Sequence, residues 1–106
     1  MFQKRGEYRN AKILKFCHDS GGCTIESPYC DGGSTVPAHS NASDDGKGKG
    51  IKADDIFVAK ACNSCHDFVD RRGKNWKAHY DTEIQWYHDR GIKRTIRQLL
   101  DAGILK

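Results

Sequence analysis

No stretch of the 106-residue chain approaches the ~18 consecutive apolar residues of a membrane-spanning helix. The basic N-terminal segment has no apolar h-region, so no signal peptide is expected. Apolar side chains are few, at 37%. A single small domain with a thin core is therefore expected, burying roughly 60–70% of the surface its unfolded chain exposes. The glycine–lysine alternation Gly46-Lys47-Gly48-Lys49-Gly50 lacks the Gly-x-x-x-x-Gly-Lys-Ser/Thr spacing, which excludes a P-loop. An even set of cysteines is also missing, because there are five. With no export signal, a reducing, cytoplasmic setting is the expectation, and spaced cysteines there favour metal over disulfides. Four ligands and one spare thiol fit an odd count.

Positive charge is present in excess, at +4 net, and it is clustered. Lys4, Arg5, Arg9, Lys12 and Lys15 face Glu7 alone in residues 1–16, and Arg90, Lys93, Arg94 and Arg97 crowd the C-terminal end. Such clusters attract polyanions through counterion release, and nucleic acid is the usual partner. Solvated helix faces are the plainer explanation of the same residues.

Local patterns divide the chain into a basic segment (1–16), a cysteine-rich centre (17–72) and a helical end (73–106). Ala11–Phe16 reads as a short amphipathic helix, followed by a Gly-Gly turn before Cys23. Ser34–His39 reads as an extended segment with Pro37 at an edge position. Ile56–Ala59 reads as a second short strand or a turn leading into Cys62. Ile92, Ile96, Leu99 and Leu100 form a helical stripe, with Arg90, Arg94 and Arg97 on another face. A separate helix is expected over residues 80–90, with Gly91 as the break. Trp76, Tyr80, Ile84 and Tyr87 step at helical intervals, a pattern that usually marks core.

The chemistry concentrates in Cys62-Asn63-Ser64-Cys65-His66-Asp67-Phe68-Val69-Asp70. Cys62-x2-Cys65 is a metal knuckle, and the best tetrahedral quartet for structural Zn²⁺ adds Cys23 and Cys30. The spacing of Cys23 and Cys30 is wider than usual, and Cys17 or His18 can stand in for Cys23 on the sequence alone. On a helix starting near Cys65, His66 and Asp70 fall at i and i+4 on one face. His39, at the end of the extended segment, would be a packing residue in most chains. A second histidine on a helix after a knuckle raises its interest.

The run Ala38-His39-Ser40-Asn41, then Asp55, then Cys62-x2-Cys65-His66-Asp67-x2-Asp70 resembles the HNH branch of the His-Me finger endonucleases. More narrowly, Ile51–Asp55 and the run ending in Arg71-Arg72 are similar to small prophage-encoded nucleases of the YbcO type, over roughly residues 20–72. The resemblance implies an α+β fold: a zinc-stapled ββα-metal core with flanking N- and C-terminal helices. It implies a metal-dependent endonuclease hydrolysing DNA phosphodiesters by a one-metal mechanism, in phage recombination or DNA processing within the bacterial host. His39 takes the general-base position, where an ordinary pKa of about 6.5 suits the task. His66 takes the metal-ligand position, with Asp70 or Asn41 completing the ligands of Mg²⁺ or Mn²⁺. Asp55 takes the position that orients the base. Relatives often carry an acidic ligand just before the base, where this chain has Ala38. Lys12, Lys15, Lys47, Lys49, Arg71, Arg72, Arg94 and Arg97 are the candidates for phosphate contact, which positions DNA without reading sequence.

Two alternatives need fewer residues. A zinc-bound DNA-binding module without catalysis uses only the cysteines and the basic faces. Cys-x-x-Cys-His is also the c-type haem attachment motif, but it leaves Cys23 and Cys30 unexplained.

Overall fold

Asn10 starts the first helix. Its extended backbone and side-chain oxygen, which accepts the Lys12 amide, cap α1 (Ala11–Asp19). In the computed structural model residues 8–42, 45, 47–48 and 52–105 are described, so Lys49 lies outside them. After α1 come β1 (Thr35–His39), β2 (Val58–Cys62), α2 (Asn63–Val69), a 3₁₀ turn (Asn75–Ala78) and α3 (Asp81–Asp101). The fold is a small α+β arrangement of three helices and one two-stranded antiparallel sheet.

The strands pair so that Thr35 faces Cys62 and His39 faces Val58. A two-stranded sheet has two open edges, and the structure seals that of β2 with side chains. Thr24 donates its amide and hydroxyl to the Lys60 carbonyl, and Thr95 on α3 accepts the Lys60 amide. Every residue of β2 is buried, Lys60 included. Its ammonium reaches the Ser20 hydroxyl at 3.0 Å and lies over the Phe16 ring, while burial lowers its pKa. The main core joins Ile25, Ala59, Ala61, Phe68, Ile84 and Ile92; a smaller cluster joins Ile13, Cys17, Val58 and Leu99.

Four local expectations are corrected. The first helix runs on past Phe16 to Asp19, because Ile13 and Cys17 bury on one face and Ser20 ends it. The second strand starts at Val58 rather than Ile56, which lies in the turn before it, and runs on through Ala59 into the first knuckle cysteine. Gly91 does not break the C-terminal region, since α3 runs through it. A Cβ there would stand 2.7 Å from Ile25 Cγ1 and 3.0 Å from Ala59 Cβ, so the missing side chain is what lets α3 approach the sheet. Helix α3 ends where Gly103, at φ +76°, takes the left-handed turn. Tyr80, read as core, is 84% exposed beside the helix start.

Candidate functional site

The β2–α2 junction holds the sulfur cluster. Cys62 ends the strand, Cys65 lies in the first turn of α2, and the 23–30 loop brings Cys23 and Cys30 alongside. The four Sγ atoms lie within 4.8 Å of one another, a donor set that fits one metal ion and is compatible with Zn²⁺. The Ser27 amide and hydroxyl approach the Cys65 sulfur at 3.4 and 3.1 Å. Hydrogen bonding with Cys65 holds the Cys23 thiol well below its ordinary pKa, and the same contact pushes Cys65 up. Cys17 is elsewhere, fully buried in the smaller core cluster, where desolvation raises its pKa to about 11. It cannot replace Cys23, and His18 is exposed on the same helix away from the cluster. The convergence also brings Cys23 and Cys30 beside Cys62 and Cys65, which haem attachment leaves unexplained.

At the other end of β1, His39 Nε2 lies 2.8 Å from Asp55 Oδ1. Asp55 is almost wholly buried; its Oδ2 accepts the Asn10 amide at 2.7 Å, and Arg9 Nη1 reaches the same Oδ1 as His39 at 3.4 Å. Burial works to raise the Asp55 carboxyl, but the His39 and Asn10 hydrogen bonds and the nearby positive charges outweigh it and hold its pKa below the ordinary value. An ionised carboxylate only accepts, so Nε2 carries a proton toward Asp55, and whenever the ring is neutral its lone pair is on Nδ1.

Helix geometry sets the second pair. His66 Nε2 and Asp70 Oδ2 are 3.0 Å apart across one turn of α2. Burial again works to raise Asp70, and the His66 and Asn41 hydrogen bonds with the Arg72 charge bring its pKa below the ordinary value. Asn41 is the tie between the two pairs: two residues beyond His39, its Nδ2 donates to Asp70 Oδ1 at 3.0 Å and to the Val69 carbonyl at 3.3 Å. The end of β1 is thereby fastened to the end of α2. Ala38 is completely buried and offers no ligand side chain.

Sequence reasoning missed three contributors. Arg9 and Asn10 clamp Asp55 from the N-terminal segment, and Arg9 also donates to the Ala53 carbonyl at 2.6 Å and the Lys52 carbonyl at 2.9 Å. His88, buried on α3, donates Nε2–H to the Ala38 carbonyl at 3.0 Å, immediately before His39. Desolvation lowers the His88 pKa, while Asp70 and His66 are close enough to act on it electrostatically. The partners stand 43 or more residues apart in the chain, so no local pattern signals them.

The basic candidates divide by engagement. Lys15 pairs with Asp19, Arg71 with Asp81, Arg72 with Asp67 and Asp70, and Arg94 with Glu26. Lys12, Lys47 and Arg97 are exposed and have no ion-pair partner among the described residues.

The profile of one family, described as "Putative nuclease YbcO", matches residues 8–104, nearly the whole chain. No curated protein and no solved structure matches it. Among the described residues no helix is long and apolar enough to cross a membrane.

Proposed function

The chain belongs to the family Putative nuclease YbcO, and on that premise we propose that it is a metal-dependent DNA endonuclease of the HNH, His-Me finger type. The observation that carries this reading is the His39–Asp55 pair joined through Asn41 to the His66–Asp70 pair. The proposed architecture is a ββα-metal core, with the whole chain acting as one nuclease domain. The family supports a nucleic-acid substrate; DNA and a role in phage recombination or DNA processing in a host cytoplasm follow from the resemblance to prophage nucleases.

His39 Nδ1 takes a proton from water, and the resulting hydroxide oxygen attacks phosphorus as the bond to the 3′-oxygen breaks. Asp55 holds the ring in the tautomer that leaves Nδ1 free and stabilises the imidazolium that forms, the role a buried carboxylate plays behind any catalytic histidine. His66 and Asp70 would hold the divalent cation, Mg²⁺ or Mn²⁺, and the Asn41 amide oxygen is available beside them because its nitrogen is the group donating to Asp70. A bound cation would supply charge neutralisation at the phosphate and the departing oxygen. The set lacks a carboxylate at Ala38, so fewer protein ligands reach the cation than in relatives with an acid there. His88 acts as a positioning residue, holding the Ala38 carbonyl and with it the backbone entering His39. The four cysteines, with Zn²⁺, fix the β2–α2 corner from which His66 projects.

The test is nicking of supercoiled plasmid by zinc-loaded protein with added Mg²⁺ or Mn²⁺. His39→Ala and His66→Ala are each expected to lose roughly 10²–10⁴-fold in rate while binding the same amount of zinc. No cation-dependent nicking by the wild-type chain, with DNA binding retained, would leave the non-catalytic zinc module, which Ala38 favours.

A further inference from the structure

One exposed ridge of α3 plays no part in the chemistry above. Trp86, Arg90, Lys93 and Arg97 follow at steps of four, three and four residues, which places them in one line about 16 Å long at ~1.5 Å per residue. Trp86 is 56% exposed, although a large apolar ring gains from burial. It is nevertheless held rigidly. The Arg90 guanidinium lies 4.8 Å from its ring centre and the Tyr87 ring stands edge-on at 5.1 Å. Arg90 is itself anchored, donating to the Ile25 carbonyl at 2.6 Å and the Glu26 carbonyl at 3.0 Å. Lys93 and Arg97, by contrast, have no ion-pair partner among the described residues. Two hollows flank the ridge, one of about 300 Å³ beside Trp86 and Lys93 and one of about 460 Å³ beside Lys93 and Arg97.

We propose that this ridge binds a single-stranded segment of nucleic acid, with one base stacked on Trp86 and the following phosphates on Lys93 and Arg97. Free cations spaced along a helix match a polyanion. A rigid aromatic ring, already backed on one side by a guanidinium, offers a π surface to an unpaired base. Duplex DNA has its base faces closed by stacking, so it can use the cations but not the ring. The opposite face of α3 carries Ile84, His88, Thr95 and Leu99 into the core, and His88 touches the strand that bears His39. The ridge therefore lies on the face of α3 turned away from the strand that bears His39, and a flank long enough to round the helix would join the two. It holds the strand flanking the cut. The substrate class that follows is DNA with a single-stranded flank, such as a tail, a gap or a branch; this use of the strand rests on the nuclease reading, whereas its capture does not.

The experiment uses the zinc-loaded full chain without added Mg²⁺ or Mn²⁺, an oligothymidylate longer than the ridge, and a blunt duplex of equal length. Tryptophan emission and affinity are followed together. Oligothymidylate is expected to quench emission, and Trp86→Phe to remove most of the quenching. Trp86→Ala is expected to weaken its binding roughly 5- to 150-fold. Lys93→Ala and Arg97→Ala should each flatten the dependence of log K on log salt by about 0.7. All three side chains are at the surface, so the variants should keep the wild-type melting curve and zinc content. Equal affinity of wild type and Trp86→Ala for oligothymidylate, or tighter binding of the duplex with unchanged emission, overturns the proposal. Failure here with nicking intact removes the ridge alone; quenching without any nicking removes the nuclease reading alone.

Discussion

The sulfur end and the imidazole end of the sheet are built on opposite plans. At Cys23, Cys30, Cys62 and Cys65 four soft donors converge within 4.8 Å, hydrogen-bonded to each other, to Ser27 and to nearby backbone amides. At the far end each imidazole already has its own carboxylate, His39 with Asp55 and His66 with Asp70. On the proposed reading, an ion would hold the first arrangement together. The second is ordered by hydrogen bonds from α1, α2 and α3, and would need an ion only to act. One end would then stabilise the fold and the other borrow that stability.

Metal removal should expose this contrast most strongly. A structural zinc typically contributes ~10 kcal/mol, as much as the whole stability of many domains. Stripping it with a chelator, or making Cys65→Ser, should abolish cooperative thermal unfolding followed by circular dichroism, and adding Zn²⁺ should restore it to the wild type. Withholding Mg²⁺ and Mn²⁺ should leave the melting curve where it was. A chelator-resistant melt would mean that the cysteines do not rely on metal.

Asp55→Asn attacks the other end. The amide keeps the shape but loses an ionised acceptor for Asn10, Arg9 and His39, and it permits the wrong histidine tautomer. Nicking should fall roughly 10²–10⁴-fold and urea stability by about 1–3 kcal/mol, with zinc stoichiometry unchanged. Loss of zinc in this variant would show that the two ends are not separable.

Gly91→Ala should act on the sulfur end alone. The new methyl would press on Ile25 in the cysteine-bearing loop and on Ala59. Overpacking outweighs the gain in helix propensity for a net loss of about 1 kcal/mol. Zinc release to a colorimetric chelator should quicken while the nicking rate of loaded protein holds. A stabilised Gly91→Ala would mean that Ile25 gives way freely.

The smallest effect is in pH. Burial lowers the folded-state pKa of His88, so the unfolded chain takes up the proton first. Stability is full above the ordinary histidine value of about 6.5 and is lost as pH falls through it toward the lowered folded value. Melting temperatures at pH 7.5 and 5.5 should differ by less in His88→Gln, whose amide can still donate to Ala38. An unchanged difference would put the proton uptake on another group.

What was legible in the sequence was what is local. The knuckle at Cys62 and Cys65, the one-turn spacing of His66 and Asp70, and the extended run ending at His39 depend on neighbours within a few residues. Cys23 and Cys30 were the weaker half, with Cys17 and His18 open as stand-ins for Cys23, since their approach depends on how the 23–30 loop folds back. Gly91 misled because a glycine in a helix reads as a break, whereas its purpose lies in Ile25 and Ala59 across the core. Arg9, Asn10 and His88 were invisible for the same reason: their work is done on Asp55 and Ala38, which only tertiary contact brings near. The exposed Tyr80 shows the limit of periodicity, which finds a stripe but not where the helix carrying it begins.

The double duty of Asn10 has a wider consequence. Its side chain launches α1 while its own amide grips Asp55, so fraying of that helix and release of the carboxylate are a single event. Clipping the chain between Asn10 and Ala11 would therefore take the helix cap and the carboxylate's partner away together, leaving His39 and Asp55 in place but the carboxylate free to turn.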